Sequence, residues 1–148
     1  METILAIAGK PGLYKLVSRG KMNLIVESID ENHKRIPAFA TDRVTSIGDI
    51  AMYTDADDIA LWQVFENVSK HENGKETAIN FRKAKADELH DWFTAVLPNW
   101  DQDRVHDSDI KKLIQWYNIL VKNGYGNFKE VLAPTEGDNV DDRVAEYY

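Results

Sequence analysis

The rhythm of apolar and polar positions changes once, decisively, along the chain. From Gly12 to Tyr53 the apolar residues come in short β-branched or aromatic runs separated by polar turn clusters, the pattern of a small antiparallel sheet. In the run 13–18, Leu13, Lys15 and Val17 fall on one face and Tyr14, Leu16 and Ser18 on the other. Arg19-Gly20-Lys21-Met22 supplies a reversal, and the run 23–29 sets Leu24, Val26 and Ser28 opposite Ile25, Glu27 and Ile29. Residues 30–34 form a polar hairpin loop. The run 35–40 contains Pro37, which has no N–H for a ladder and marks an edge or a bulge. Residues 3–8 read either as a short strand or as a helical turn, residues 41–48 as a connector, and residues 49–54 as a further strand. Strands this short do not bury two faces alone, so they curl into a barrel or pack on helices.

Past Asp55 the period becomes helical. Ile59, Leu61, Trp62, Phe65 and Val68 recur at helical spacing and predict a helix over 59–70, acidic at its start, that covers the sheet. His71-Glu72-Asn73-Gly74-Lys75 ends it and is the expected domain boundary. Residues 78–82 stay ambiguous, since Ile79 and Phe81 alternate but alanines come next. Leu89, Trp92, Phe93 and Val96 predict a helix over 86–96, stopped before Pro98. Ile110, Leu113, Ile114, Tyr117, Leu120 and Val121 predict a helix over 109–122, capped by Ser108 and closed by Asn123-Gly124. Residues 125–132 are open to a short returning element. From Pro134 the chain is acidic and poor in apolar residues, and is expected to lack order.

The resulting expectation is an α+β protein. A small curled antiparallel sheet with a covering helix occupies 1–71, a helical domain 76–133, and an acidic tail 134–148. The 148 residues have room for one domain or two small ones, and a hydrophobic share of 43% suffices for a core. No apolar run approaches the roughly 20 residues that span a bilayer, and Met1 to Ala8 has neither the basic start nor the apolar length of a secretory signal. These features predict a cytoplasmic protein with no membrane association. The chain has no cysteine, which excludes disulfides, thiol catalysis and cysteine-ligated zinc.

The net charge of −7 argues against wholesale polyanion binding, but it is unevenly distributed. Residues 10–43 hold seven cations (Lys10, Lys15, Arg19, Lys21, Lys34, Arg35, Arg43) and four carboxylates (Glu27, Asp30, Glu31, Asp42), a net of +3. Residues 134–148 hold five carboxylates and Arg143, a net of −4.

Among candidate sites, Gly9-Lys10-Pro11-Gly12 lacks the spacing of a phosphate-binding loop. Asp87, His90 and Asp91 share a helix face and His106-Asp107 lies beyond the next loop, but a metal site needs three or four converging ligands, and a solvated face is the simpler reading. Asp101, Asp103, Asp107 and Asp109 lack the glycine and terminal glutamate of a calcium loop. No nucleophile constellation is present, so neither catalysis nor a cofactor is expected. The basic hairpin is the stronger candidate: Lys15, Arg19, Lys21, Lys34 and Arg35 flank Tyr14 and Phe39. Phosphates want Lys or Arg and unstacked bases want aromatic faces, so this segment suits single-stranded nucleic acid or RNA. The alternative is a solvated rim whose aromatics are core. Of the four tryptophans, Trp62 and Trp92 fall on core stripes, whereas Trp100 in a loop and Trp116 off its stripe are candidates for binding another protein.

The segments Leu97-Pro98-Asn99-Trp100-Asp101-Gln102-Asp103-Arg104-Val105, Ser108-Asp109-Ile110-Lys111-Lys112 and Trp116-Tyr117-Asn118-Ile119-Leu120 are distinctive. With Gly9-Lys10-Pro11-Gly12-Leu13-Tyr14 and Ala51-Met52-Tyr53-Thr54-Asp55, they resemble a family of two-domain Bacteroidetes proteins described as a domain of unknown function. The resemblance covers nearly all of the chain except the tail. It implies an SH3-like barrel as the first domain and a nucleic-acid-binding role by fold analogy. It brings no catalytic residues, and implies an aromatic where this chain has His106. The expected function is therefore non-catalytic nucleic-acid binding through the basic sheet, with a protein–protein adaptor built on Trp100 and Trp116 as the rival.

Overall fold

The computed structural model describes residues 3–10, 12–39 and 42–128. These form two compact units that divide between Ile50 and Ala51. The boundary is thus earlier than the expected one at 71–75, and the first helix is a member of the second unit.

The first unit is a five-stranded antiparallel sheet: β1 (Ile4–Ile7), β2 (Tyr14–Arg19), β3 (Asn23–Ser28), β4 (Arg35–Phe39) and β5 (Val44–Ser46). The order is β4-β3-β2-β1-β5. The sheet is open, with β4 and β5 as its edges among the described residues, rather than closed into a barrel. β1 settles the opening segment as a strand. β5 lies inside the presumed connector; only three residues long, it is held by pairing Leu5 with Ser46 and Ile7 with Val44. Pro37 does fall on an edge strand, opposite Ile25, and the N–H of Phe39 two residues on donates to Asp42 Oδ2 at 2.8 Å.

Register assigns the faces. Leu5, Ile7, Val26, Ala38 and Val44 form a buried cluster, with Tyr14, Leu16, Leu24 and Ile36 packed against it. On the opposite face Lys15, Glu27 and Arg35 are directly cross-strand from one another. A bulge between Leu16 and Ser18 breaks the alternation: Ser18 pairs with Ile25 and so leaves the face of Leu16, contrary to simple period-two counting. Gly20 allows the tight return, its N–H donating to Asn23 O at 2.8 Å. A Cβ there would lie 2.4 Å from Asn23 Oδ1, so any larger residue displaces that side chain.

The second unit opens with β6 (Ala51–Met52), a remnant of the longer strand expected at 49–54, since Ile47–Asp49 is a 3₁₀ turn. β6 pairs with β7 (Ile59–Ala60), which is why α1 (Leu61–His71) begins at Leu61 rather than Ile59. α1 buries Leu61, Val64, Phe65 and Val68, leaving Trp62 half-buried beside the stripe it was expected to join. α2 (Ala86–Val96) occupies its predicted span and buries Leu89, Trp92, Phe93 and Val96, with Asp87 and Glu88 at the positive end of its dipole. α3 (Asp107–Lys122) starts before the expected residue. His106, not Ser108, is the cap, and its N–H donates to Asp109 Oδ2 at 3.0 Å. Phe65, Tyr117 and Phe128 pack ring against ring, with centroids 5.4–6.3 Å apart. Residues 78–82 are turns, neither strand nor helix. The preceding segment is tied to α3 by Tyr117 O–H donating to Lys75 O at 2.7 Å and Thr77 N–H donating to Asn118 Oδ1 at 2.8 Å. Among the described residues no helix is long and apolar enough to cross a membrane. The expectations for 134–148, and for 125–132 beyond Phe128, lie outside the described residues.

Candidate functional site

The five cations singled out in the sequence do not form one patch. Lys15 and Arg35 meet on a carboxylate: Lys15 Nζ lies 3.2 Å from Glu27 Oε2 and Arg35 Nε 3.1 Å from Glu27 Oε1. His33 Nδ1 stands 3.7 Å from the same carboxylate. Glu27 is buried at 7% exposure, so water does little to separate the group from its partners. The hydrogen bonds from Arg35 and then Lys15 hold its carboxyl below the usual glutamate range. Two of the five candidate cations therefore serve an internal anion.

Lys34 and Lys21 are exposed, and neither has an ion pair with a described residue. They flank opposite ends of β3, whose six residues span roughly 20 Å. Lys34 belongs to a hairpin loop organised by Asp30. The Asp30 carboxylate accepts from Ser28 O–H at 2.8 Å and from the N–H groups of Asn32 and His33 at 2.9 and 3.1 Å, and these bonds, Ser28 foremost, lower its pKa. His33 takes a left-handed backbone here, φ 47°. Tyr14 packs on the core face, so its ring is not beside Lys15 and does not form the stacking surface expected of it.

The other end of the sheet has the features a binding surface requires. The β2–β3 turn presents Arg19, Lys21 and Met22, all exposed, Met22 at 82%. Phe39, directly opposite Asn23 on β4, is 48% exposed, and Val17 in the bulge 37%. Pro37 is also exposed, on the Phe39 face. Phe39 and the cations thus share an end of the sheet, though by register Arg19, opposite Leu24, lies on the other face from Phe39, opposite Asn23. Phe39 carried a weak signal in the sequence, as an aromatic among cations. Met22 carried none, because a methionine after a turn reads equally well as core.

In the second unit the two tryptophan candidates separate. Trp100 is buried at 4%, donates its Nε1–H to Thr94 Oγ1 at 3.0 Å, and packs on Phe93 and His90 at centroid distances of 5.3 and 5.2 Å. A backbone bridge to Thr54 holds the loop in place. It is core rather than a partner-binding surface, because this long-range pairing folds its loop inward. Trp116 is half-buried, in keeping with its place off the stripe of α3.

The polar groups nearby have structural partners. His90 Nε2 lies 2.6 Å from Asp107 Oδ1, joining α2 to the start of α3. Asp101 Oδ1 accepts the N–H groups of Asp103 and Arg104, while Arg104 Nε donates to Asp101 Oδ2 at 2.7 Å and thereby lowers the Asp101 pKa. The Arg104 guanidinium also lies 4.4 Å over the Tyr53 ring and donates to Thr54 O at 3.2 Å. No group of three or more His, Cys, Asp or Glu among the described residues converges as metal ligands.

Comparison with known proteins respects the same division. Residues 1–47 match the family model described as Domain of unknown function (DUF5606), and residues 50–120 match Domain of unknown function (DUF6852). A protein from Bacteroides vulgatus whose solution NMR structure is known is 61% identical, with a TM-score of 0.74, over 90% of this chain and 93% of that one. No curated protein matches the chain.

Proposed function

The chain belongs to the Bacteroidetes family that joins these two domains of unknown function, and we propose that it is a non-catalytic binding protein whose β2–β3 turn and β4 end engage single-stranded nucleic acid. The observation that carries this reading is the exposed Phe39 ring on the sheet end that also presents Arg19 and Lys21. A base stacks on an aromatic face without regard to sequence, and neighbouring cations hold the phosphates. An open sheet suits this as well as the SH3-like barrel implied by resemblance, since the strand carries its bases across a surface rather than through a channel. The acidic net charge makes the interaction local and salt-sensitive.

The test is fluorescence anisotropy with labelled oligouridine and oligothymidine at low and at physiological salt. Phe39→Ala is expected to weaken binding by about 1–3 kcal/mol, the scale of one stacked base. Absence of binding by the unaltered protein at low salt removes the proposal. A protein–protein adaptor is the second reading, favoured by the apolar character of Met22 and Phe39. It retains Trp116 from the sequence-based candidates and loses Trp100. Binding of a peptide partner through Met22 and Phe39, or separately through Trp116 in the second unit, would respond weakly to salt, which separates the two readings.

A further inference from the structure

The Phe39 ring has a polar neighbour that stacking alone leaves unused. Asn23 is directly opposite Phe39 across β3 and β4. Both backbone groups of Phe39 are turned the other way, to Asp42: the N–H donates to Asp42 Oδ2 at 2.8 Å and the carbonyl accepts from the Asp42 N–H at 2.9 Å. The pair therefore exchanges no ladder bond, and in such pairs the side chains stand closest, with about 4.5–5.5 Å between Cβ atoms. Asn23 is half-buried, and its side-chain amide has no hydrogen bond to a described residue. We propose that this amide contacts the edge of a base stacked on Phe39, so that the site prefers keto bases (uracil, thymine, guanine) to amino bases (cytosine, adenine). The inference rests on the nucleic-acid reading and adds its base preference.

The orientation of the amide decides which bases fit. Its Oδ1 lies 2.4 Å from where a Cβ on Gly20 would stand, so the oxygen rests against a Gly20 Cα hydrogen. That C–H is a weak donor, which suits an oxygen and not an amino group. Oδ1 and Nδ2 are on opposite sides of Cγ, so Nδ2 is turned away from Gly20 with its donors free. A donor beside the stacked base is matched by O4 of uracil or thymine and by O6 of guanine. It meets another donor at the amino group of cytosine or adenine. Stacking on Phe39 is blind to this difference, and Asn23 supplies it. Gly20 is the positioning residue, because only a residue without a Cβ leaves room for that oxygen. Its backbone is outside the left-handed region, so alanine fits the chain there and displaces the Asn23 side chain.

The experiment titrates labelled oligouridine and oligocytidine of equal length with the full chain at low salt and neutral pH, reading anisotropy. The proteins are the unaltered chain, Asn23→Asp and Gly20→Ala. Uracil carries a keto group where cytosine carries an amino group, so the ratio of the two affinities reports on that edge of the base. The unaltered protein is expected to bind oligouridine about three- to tenfold tighter, the contribution of one neutral hydrogen bond. Asn23→Asp puts an acceptor where the donor stood, and should bind oligocytidine at least as tightly as oligouridine. Because the ratio is read, an overall weakening by the added charge leaves the test intact. Gly20→Ala should bind the two equally. Thermal unfolding checks that both variants are folded, and Gly20→Ala carries the test if Asn23→Asp is not. Equal affinities or tighter oligocytidine in the unaltered protein, or an oligouridine preference kept by either folded variant, overturn the proposal and leave nucleic-acid binding in place. Binding of neither oligonucleotide by the unaltered protein removes the nucleic-acid reading and this preference with it.

Discussion

Arg35 and Glu27 are bound side chain to side chain across β3 and β4, Nε to Oε1 at 3.1 Å, while Lys15 takes the other carboxylate oxygen from β2. The row offsets one of its two cations, leaving a net of +1 in the middle of the basic sheet, and ties three strands together.

That row makes stability depend on pH. The folded-state pKa of Glu27 lies below its ordinary value of 4.5, first through Arg35 and then through Lys15. A depressed carboxyl contributes stability that is present above the ordinary value and is lost as pH falls through the folded-state value. Unfolding midpoints measured from pH 7 downward should therefore fall below about pH 4.5. In Glu27→Gln this contribution is absent at every pH, so the gap between the two proteins should narrow as acid is added.

Cation substitutions should divide into two groups. Arg19→Gln with Lys21→Gln is expected to weaken oligonucleotide binding and flatten its salt dependence by up to about two units of slope. Lys15→Gln with Arg35→Gln should alter binding less and unfold the protein more readily, because it takes both permanent cations from the buried Glu27 and leaves it only His33 at 3.7 Å. Anisotropy and denaturant unfolding on both pairs check this; equal binding losses would mean that the whole sheet face is engaged.

Leu113→Ala should cost about 2–5 kcal/mol and Trp100→Ala about 3–5, as for buried core residues. Trp116→Ala should cost less than either, its ring being half-buried. Chemical denaturation of the three variants decides it. A Trp116→Ala loss as large as that of Leu113→Ala would place the ring in the core and remove it from the adaptor reading.

Thr94→Val keeps the shape beside Trp100 but leaves the indole N–H without its acceptor. The expected loss is about 1–3 kcal/mol, read by thermal unfolding.

Local patterns carried much of this fold. The spans of β2, β3, β4 and α2 can be read from alternation or helical period, because each element's own residues define its buried face. The features that escaped depended on distant pairing. β5 is three residues whose strand character comes from β1, and Trp100 is buried because its loop bridges to Thr54. The Lys15–Glu27–Arg35 row was latent in the two hairpins, but reading it needed their register, and the bulge after Leu16 shows how one extra residue redirects every later side chain of its strand. The candidate site was legible as composition only. Which cations were already neutralised, and which aromatic faced outward, are properties of pairing rather than of sequence order.

Pro37 and Phe39 share an edge strand, and together they separate two kinds of exposure. An open β-edge invites another chain to extend its ladder, the first step toward aggregation. Here Pro37 has no amide hydrogen to offer an incoming strand, and that of Phe39 is already held by Asp42. The backbone is a poor template even though the Phe39 ring stands in solvent. The strand can display a sticky side chain without becoming a seed for fibrils.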